Sequence, residues 1–363
     1  MGCGCSDGDE ILVAVNLAGT LVGEDHPAFC IAEIGHNHQG SVQKAIDLID
    51  IAARAGASAV KLQKRDNKTL FTESYYNSPY NSENAFGATY GEHREALEFG
   101  KKEYLELMLY ASTKNIAFFA AAFDIPSADF LEDIGVPFYK IASGGATNTT
   151  LLKHVAKFGK PMIISLGGCT PQDILRVYDA VRPINSQLVF MHCVAAYPAP
   201  VDLLNLMRIV DLKKWFPDVV AGFSDHQDGI SMGPVAYALG ARVFEKHITF
   251  SHSAKGTDHA FSLEEAGLTT YIKYINHAVK ALKRLEQPLE EEKAPIKKMS
   301  QGVYAARDME AGTWLRQRDL ALKSPASQVA AWWYEVLVGK VLREHVKKDE
   351  PILTTHIEGG LGA

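Results

Sequence analysis

Three residue pairs in this sequence place chemically useful side chains two positions apart: Lys61 with Gln63, Ser224 with His226, and Glu245 with His247. On a β-strand that spacing turns both members of a pair to one face. A single buried lysine or glutamate could be a satisfied ion pair. Ionisable groups at the ends of many apolar runs are harder to dismiss, because each costs burial energy unless something uses it. Lys61 and Lys140, with Ser143, Ser165 and Ser224, read as a cradle for a phosphate and a carboxylate. Lysine supplies charge and the hydroxyls supply directional donors. A lysine inside a barrel could instead form a Schiff base, but two on different strands suit an anionic substrate better than one nucleophile. His226 and His247, with Asp225 and Glu245 beside them, could make an open divalent-metal site completed by water and substrate oxygens. Such a site favours a labile ion such as Mn2+ or Mg2+ over structural zinc. A strand-end histidine can equally be a packed residue, and His36 and His38 are competing ligands.

The elements that would hold these groups follow from hydrophobic periodicity. Short apolar runs alternate with longer amphipathic segments, as in βαβ units with a parallel sheet. Strands are expected at 29–35, 59–63, 116–123, 138–143, 162–166, 188–193, 219–224 and 242–249. Helices are expected at 42–55, with Val42, Ile46, Ile49 and Ala53 on one face, and at 102–114, 151–158, 171–181, 229–239 and 263–285. Eight strands, each followed by a helix, predict an α/β protein built as a (β/α)8 TIM barrel, whose strand C-termini converge on one catalytic face. An open doubly wound sheet is the rival, but no Gly-rich dinucleotide turn follows the first strand. The connection 65–100 is far longer than an ordinary βα loop and is expected to shape the substrate pocket. Residues 287–300, rich in Glu, Lys and Pro, read as a linker between a barrel domain (1–286, with an N-terminal extension) and a small β-rich domain (301–363). A domain that small has a marginal core and is expected to lean on the barrel or on a partner subunit.

Composition narrows the function. The 363 residues carry a net charge of −6, which argues against binding nucleic acid and requires a local cation cluster for any anionic substrate. No apolar stretch approaches a membrane span, and the N-terminus lacks a secretory signal. Five scattered cysteines, Cys3, Cys5, Cys30, Cys169 and Cys193, read as reduced thiols of a cytoplasmic protein. The opening Met1-Gly2-Cys3-Gly4-Cys5-Ser6 matches an N-myristoylation pattern with neighbouring thiols, and the simpler reading is an unstructured tail.

Longer motifs are more specific. The run Ile31-Ala-Glu-Ile-Gly-His-Asn-His-Gln-Gly40 resembles the opening signature of the sialic acid (N-acetylneuraminate) synthase family. Val60-Lys-Leu-Gln63, Thr89-Tyr-Gly-Glu-His-Arg94, Tyr139-Lys-Ile-Ala-Ser-Gly144 and Phe223-Ser-Asp-His226 continue the match in order, followed by Phe244-Glu-Lys-His-Ile-Thr249 and Gly256-Thr-Asp-His259. The tail from Gly302 resembles the antifreeze-protein-like (SAF) domain that ends these synthases. The resemblance implies a phosphoenolpyruvate-dependent transferase. C3 of phosphoenolpyruvate would attack the aldehyde of open-chain N-acetylmannosamine or another N-acylated aminosugar; water would add at C2, and phosphate would leave by C–O cleavage. N-acetylmannosamine 6-phosphate is the alternative acceptor. Carried over by motif, Lys61, Lys140, Ser143, Ser165 and Ser224 would bind phosphoenolpyruvate. Glu33, Gln63, Tyr197 and Asp258 would contact the sugar, with Glu33 moving a proton and Asp258 beside it. His226 and His247 would hold Mn2+, with Mg2+ or Co2+ as alternatives, and Glu245 would orient the metal's shell. The family also implies a homodimer that swaps its tail domains. A synthase of eight- or seven-carbon ulosonate phosphates and a non-catalytic sugar-binding homologue are the competing readings.

Several positions depart from the family pattern. Ala120-Ala121-Ala122 stands where many bacterial members have Ser-Thr-Pro, Gly145 where an acidic residue is common, and Ala195 where a polar sugar contact is expected. Ser324 stands where many bacterial members place an Arg that reaches the partner's active site, leaving Lys323, Arg316 or Arg318 as substitutes. Animal-type 9-phosphate synthases, which the chain resembles over 89–99, lack that Arg pattern too.

Overall fold

The computed structural model describes residues 13–361; the acylation pattern at Gly2, Cys3 and Cys5 lies outside them. The chain divides between Lys283 and Arg284 into two compact units. In the first, an antiparallel hairpin of β1 (Ala14–Leu17) and β2 (Thr20–Gly23) precedes eight parallel strands. These are β3 (Phe29–Gly35), β4 (Ala59–Lys64), β5 (Ala117–Ala122), β6 (Tyr139–Ile141), β7 (Met162–Ser165), β8 (Leu188–Cys193), β9 (Val220–Asp225) and β10 (Val243–His247). The order closes, with β10 pairing back onto β3, so the molecule is a barrel rather than an open sheet.

Alternation along each strand makes two cores. Outward residues pack on the helices, for example on Val42–Arg54, whose buried stripe is centred on Ala45, Leu48, Ile49 and Ala52. The expected face is therefore rotated, with Val42 and Ile46 at its margin. Inward residues fill the lower barrel: Phe29, Ile31, Ala59, Phe119, Phe138, Ile163, Val189, Val220 and Val243 form one cluster. The hairpin closes this cluster from below with Val15, Leu17 and Val22. The hairpin went unread in the sequence because its turn uses Ala18 and Gly19 at positive φ, in place of the Asn-Gly that usually signals such a turn. One period of two above this apolar plug, the same strands present Glu33, Lys61, Lys140, Ser165 and Glu245, and β9 presents Ser224 two periods above Val220. The hydrophobic layers thus hold the polar layer at the barrel's C-terminal face.

Two of the helices that connect consecutive barrel strands escaped the sequence reading, Ile125–Asp133 and Arg208–Trp215. The first is short and begins at a cap in which Asp124 accepts from Ser127 N at 2.7 Å. Residues 287–300, expected as a linker, are largely the helix Glu290–Met299. It is exposed throughout, so no apolar stripe marked it; three glutamates in its first turn and Lys297 and Lys298 in its last complement the helix dipole.

The second unit pairs β11 (Gly302–Ala305) with β12 (Leu320–Lys323) around a core that includes Val303, Leu315, Leu320, Val329, Leu337 and Ile352. Buried Asp319 ties it together, accepting from Arg307 Nε at 2.8 Å and from Arg316 N at 3.0 Å. In the run Trp332-Trp333-Tyr334, Trp333 and Tyr334 pack on this core, while Trp332 is 79% exposed. Lys323 is paired with Asp349.

Candidate active site

The polar layer is a charge cluster in which Glu33, Lys61, Lys140 and Glu245 are all buried. Lys61 Nζ lies 3.2 Å from Glu33 Oε2 and 3.2 Å from Glu245 Oε1. Lys140 Nζ lies 2.9 Å from Glu245 Oε2 and 3.1 Å from Oε1, and the Ser224 hydroxyl donates to Glu245 at 3.3 Å. Register explains the grouping: Glu33 sits beside Lys61 on β4, and Glu245 beside Ser224 on β9. Glu33 and Glu245 are environmentally split. Burial raises Glu33 to about 7, Lys61 pulling it down and Glu245 pushing it further up. Burial would raise Glu245 as well, but Lys140 and Lys61 together hold it well below the ordinary carboxylate range. The lysines divide too. For Lys61 burial is outweighed by the two carboxylates and it stays above its ordinary value, whereas for Lys140 burial outweighs Glu245. One carboxyl poised near neutrality beside one fixed carboxylate is an arrangement that can move a proton.

Above the cluster a cavity of about 260 Å³ opens. Every residue named from the sequence for binding or catalysis lines it: Glu33, Lys61, Gln63, Lys140, Ser143, Ser165, Tyr197, Ser224, His226, Glu245, His247 and Asp258. Ser165 Oγ is buried without a hydrogen-bond partner among the described residues. Ser143 Oγ accepts from Gly167 N at 3.0 Å, and a Cβ at Gly167 would stand 2.7 Å from that oxygen, so glycine is needed there. At Gly35 a register shift in β3 and a φ of 54° turn the chain beside Glu33, where a Cβ would press Gln63 Nε2 at 3.3 Å. Asp225, read as an acidic neighbour of the metal site, is not in the cavity. Strand parity turns it outward, where it pairs with buried Lys246 at 3.2 Å.

His226 and His247 face each other at the rim, ring centroids 5.4 Å apart. His226 Nδ1 donates to Val194 O at 2.9 Å, which leaves its Nε2 as the lone-pair nitrogen. His247 Nδ1 is buried without a hydrogen-bond partner among the described residues, 3.6 Å from Asp258 Oδ2. Burial, then His247, lowers His226 to about 3; burial, against Asp258, lowers His247 to about 4. Both imidazoles are neutral at pH 7, the form that ligates metal. Among the described residues no three His, Cys, Asp or Glu gather as a metal cage; the groups that could hold a labile ion here are these two imidazoles. The competing histidines are otherwise engaged. His38 stacks on Phe99 at 4.3 Å, and His36 lies between Arg65 and Arg94.

The long 65–100 connection contributes to the cavity as its length suggested. It carries three short helices, Asn67–Leu70, Glu73–Tyr76 and Tyr90–Glu95. An aromatic cluster of Phe71, Tyr75, Tyr80 and Tyr90 stiffens it, and Asn84 accepts from Gly256 N at 2.8 Å on the loop that bears Asp258. It places Arg65 and Arg94 in the cavity wall, two residues the sequence reading did not assign. Arg65 was legible in principle, as the next step of two beyond Lys61 and Gln63. Arg94 was not, because only the fold of the loop brings it in.

The sequence matches the NeuB family over residues 48–287. The chain belongs to the NeuB family. Its tail matches the SAF domain over residues 300–358. Over 338 residues it is 37% identical to human N-acetylneuraminate-9-phosphate synthase, covering 92% of this chain and 94% of that one. It is 34% identical over 327 residues to the N,N'-diacetyllegionaminic acid synthase of Campylobacter jejuni, covering 89% and 98%. The solved structure of N-acetylneuraminic acid synthetase from Leptospira borgpetersenii, in complex with citrate, superposes with a TM-score of 0.69 at 31% identity, covering 80% of this chain and 97% of that one. This NeuB-family protein is an enzyme of the sialic acid synthase type, a phosphoenolpyruvate-dependent condensing synthase.

Proposed function

We propose that this enzyme condenses phosphoenolpyruvate with the open-chain form of an N-acylated aminosugar of the N-acetylmannosamine type, yielding a nine-carbon 2-keto sugar acid and phosphate. The observation that carries the reading is the buried cluster of Lys61, Lys140, Glu33 and Glu245, which joins a two-lysine anion site to a carboxyl near neutrality. Lys61 and Lys140, with the hydroxyls of Ser143, Ser165 and Ser224, bind the phosphate and carboxylate of phosphoenolpyruvate. Gln63, Tyr197 and Asp258 orient the acceptor aldehyde toward C3. Glu33 handles the protons: the new C–C bond leaves an alkoxide that takes one up, and the water adding at C2 releases one. Glu245 keeps both lysines charged and aimed. His226 and His247 would hold a divalent ion, Mn2+ in preference to Mg2+ or Co2+, which when bound supplies Lewis-acid polarisation of the aldehyde.

The free sugar and its 6-phosphate are both candidate acceptors. The 37% identity to a human 9-phosphate synthase and the two arginines of the cavity wall give the 6-phosphate specific support. Phosphate release from phosphoenolpyruvate with Mn2+, measured with either acceptor and without one, tests the reaction. Release that requires an aminosugar is the expected result. None with any acceptor, or equal release without one, overturns the reading. The dimer with swapped tails rests on the family resemblance and on exposed Trp332. Light scattering that finds a monomer at micromolar concentration would count against it.

A further inference from the structure

Arg65, His36 and Arg94 form a constellation that the condensation chemistry does not use. Arg65 is 7% exposed; one terminal nitrogen lies 3.1 Å from His36 Nε2, and the other donates to Gln63 Oε1 at 2.7 Å. Its guanidinium lies over the Phe123 ring at 3.6 Å. Arg94 approaches from the opposite side, 3.2 Å from His36 Nδ1, and donates to the Tyr90 hydroxyl at 2.8 and 3.0 Å. Burial and the two guanidinium charges hold His36 well below the ordinary histidine range, so the imidazole between them is neutral. A neutral imidazole offers one lone pair and one N–H. It can therefore accept from one arginine only, and it meets the other donor to donor.

The partners of both guanidiniums are all neutral: an amide oxygen, a phenol, an imidazole and an aromatic face. Among the described residues no carboxylate forms an ion pair with either, whereas Lys61 and Lys140 each have one. Glu98 and Asp258 act on the charge of buried Arg65 from a distance but neither pairs with it, so an anion that bonded both guanidiniums across His36 would be favoured. Their planar forks match phosphate oxygens, and a phosphomonoester dianion matches their summed charge. Position fixes which phosphate. The lysine cluster is linked to the arginine pair through Gln63, which donates to Glu33 Oε1 at 2.7 Å and accepts from Arg65. The arginines thus continue the wall from the proton-transfer end of the acceptor region, beyond the phosphoenolpyruvate cradle.

We propose that Arg65 and Arg94, spaced by His36, clasp a phosphomonoester at the far end of the acceptor, so that the aminosugar is taken as its 6-phosphate. This rests on the condensation reading given above. The aromatic packing of the 65–100 loop makes the site preformed, since Tyr90 both joins that cluster and holds Arg94.

The test compares N-acetylmannosamine with its 6-phosphate in the wild type, in Arg94→Gln and in Arg94→Lys, full chain, with Mn2+ and saturating phosphoenolpyruvate. The expected result is a wild-type preference in kcat/KM for the phosphorylated acceptor. Arg94→Gln should lower kcat/KM for that acceptor by roughly 10- to 100-fold more than for the free sugar, as loss of a charged hydrogen bond implies, with partial recovery in Arg94→Lys. A wild type that prefers the free sugar, or a variant that loses both acceptors equally, overturns the assignment while leaving the condensation standing. If no acceptor supports phosphate release, the condensation fails, and thermal shift with the two sugars decides this site alone. Stabilisation by the 6-phosphate that Arg94→Gln removes supports it, and equal shifts with both sugars overturn it.

Discussion

Replacing Glu245 by glutamine keeps the side chain's size and removes the charge on which the cluster turns. In the wild type that carboxylate serves Lys140 at 2.9 Å and Lys61 at 3.2 Å, all three residues at most 4% exposed. Lys61 retains Glu33 at 3.2 Å in the variant, whereas Lys140 loses its ion-pair partner and keeps only the more distant charge of Glu33. Breaking a buried pair by removing one partner costs about 3–5 kcal/mol. At about 2 °C per kcal/mol for a unit of this size, Glu245→Gln should melt about 6–10 °C below wild type at pH 7. Phosphoenolpyruvate brings its own negative charge to Lys140, so at saturation it should raise the variant's Tm more than the wild type's. Adding Lys140→Met removes the stranded charge and should recover part of the loss without restoring activity. The pH dependence has a definite sign. Burial opposes ionisation of Glu245, but Lys140 and Lys61 prevail and its folded pKa is depressed. Its contribution is therefore complete above the unfolded value of about 4.3 and is lost as pH falls toward the folded value, so the two proteins converge in acid. Differential scanning calorimetry reads all of this. A drop under about 1 °C, or a smaller phosphoenolpyruvate shift in the variant, would refute the reasoning.

Three further outcomes follow from the same geometry. His226→Ala and His247→Ala should each abolish metal-dependent turnover and weaken Mn2+ binding read by electron paramagnetic resonance; a near-normal rate in either contradicts the metal assignment. Glu33→Gln should cut turnover by about 10²–10⁴-fold. Because burial raises the folded pKa of Glu33 to about 7, its favourable protonated form is lost as pH rises through that value. The variant should therefore gain up to about 3 kcal/mol on wild type between pH 5 and pH 8 in urea unfolding, and an equal difference at both would contradict the assignment. Asp319→Ala leaves Arg307 and the Arg316 amide without their acceptor and should destabilise the tail unit by about 1.5–3 kcal/mol, read by its protease sensitivity. Unchanged cleavage would contradict that role.

The barrel was legible because eight apolar runs alternate with helical segments and no Gly-rich dinucleotide turn follows the first strand, which disfavours the open sheet. The active-site layer was legible because a period of two carries several strands from a plug residue to a polar one: Ile31 to Glu33, Phe138 to Lys140, Val243 to Glu245. What sequence could not supply was side-chain direction at strand ends and the path of the long loop. Asp225 neighbours His226 in the chain but points to the opposite face, where Lys246 meets it. His36 follows the first strand closely enough to pass for a ligand, yet two guanidiniums flank it, one from residue 94 on a folded insertion. Helix Glu290–Met299 was missed for a related reason. Its stabilisation is charge placement along an exposed helix, which leaves no hydrophobic period to read.

The central claim is attack on the carbon skeleton of phosphoenolpyruvate, with water entering at C2 and phosphate leaving with its bridging oxygen. Turnover in ¹⁸O-enriched water, with phosphoenolpyruvate, Mn2+ and the preferred aminosugar, tests it directly by mass spectrometry of both products. The account predicts a nine-carbon keto acid and released phosphate that carries no solvent ¹⁸O. Phosphate labelled by solvent oxygen would mean cleavage at phosphorus and would contradict it.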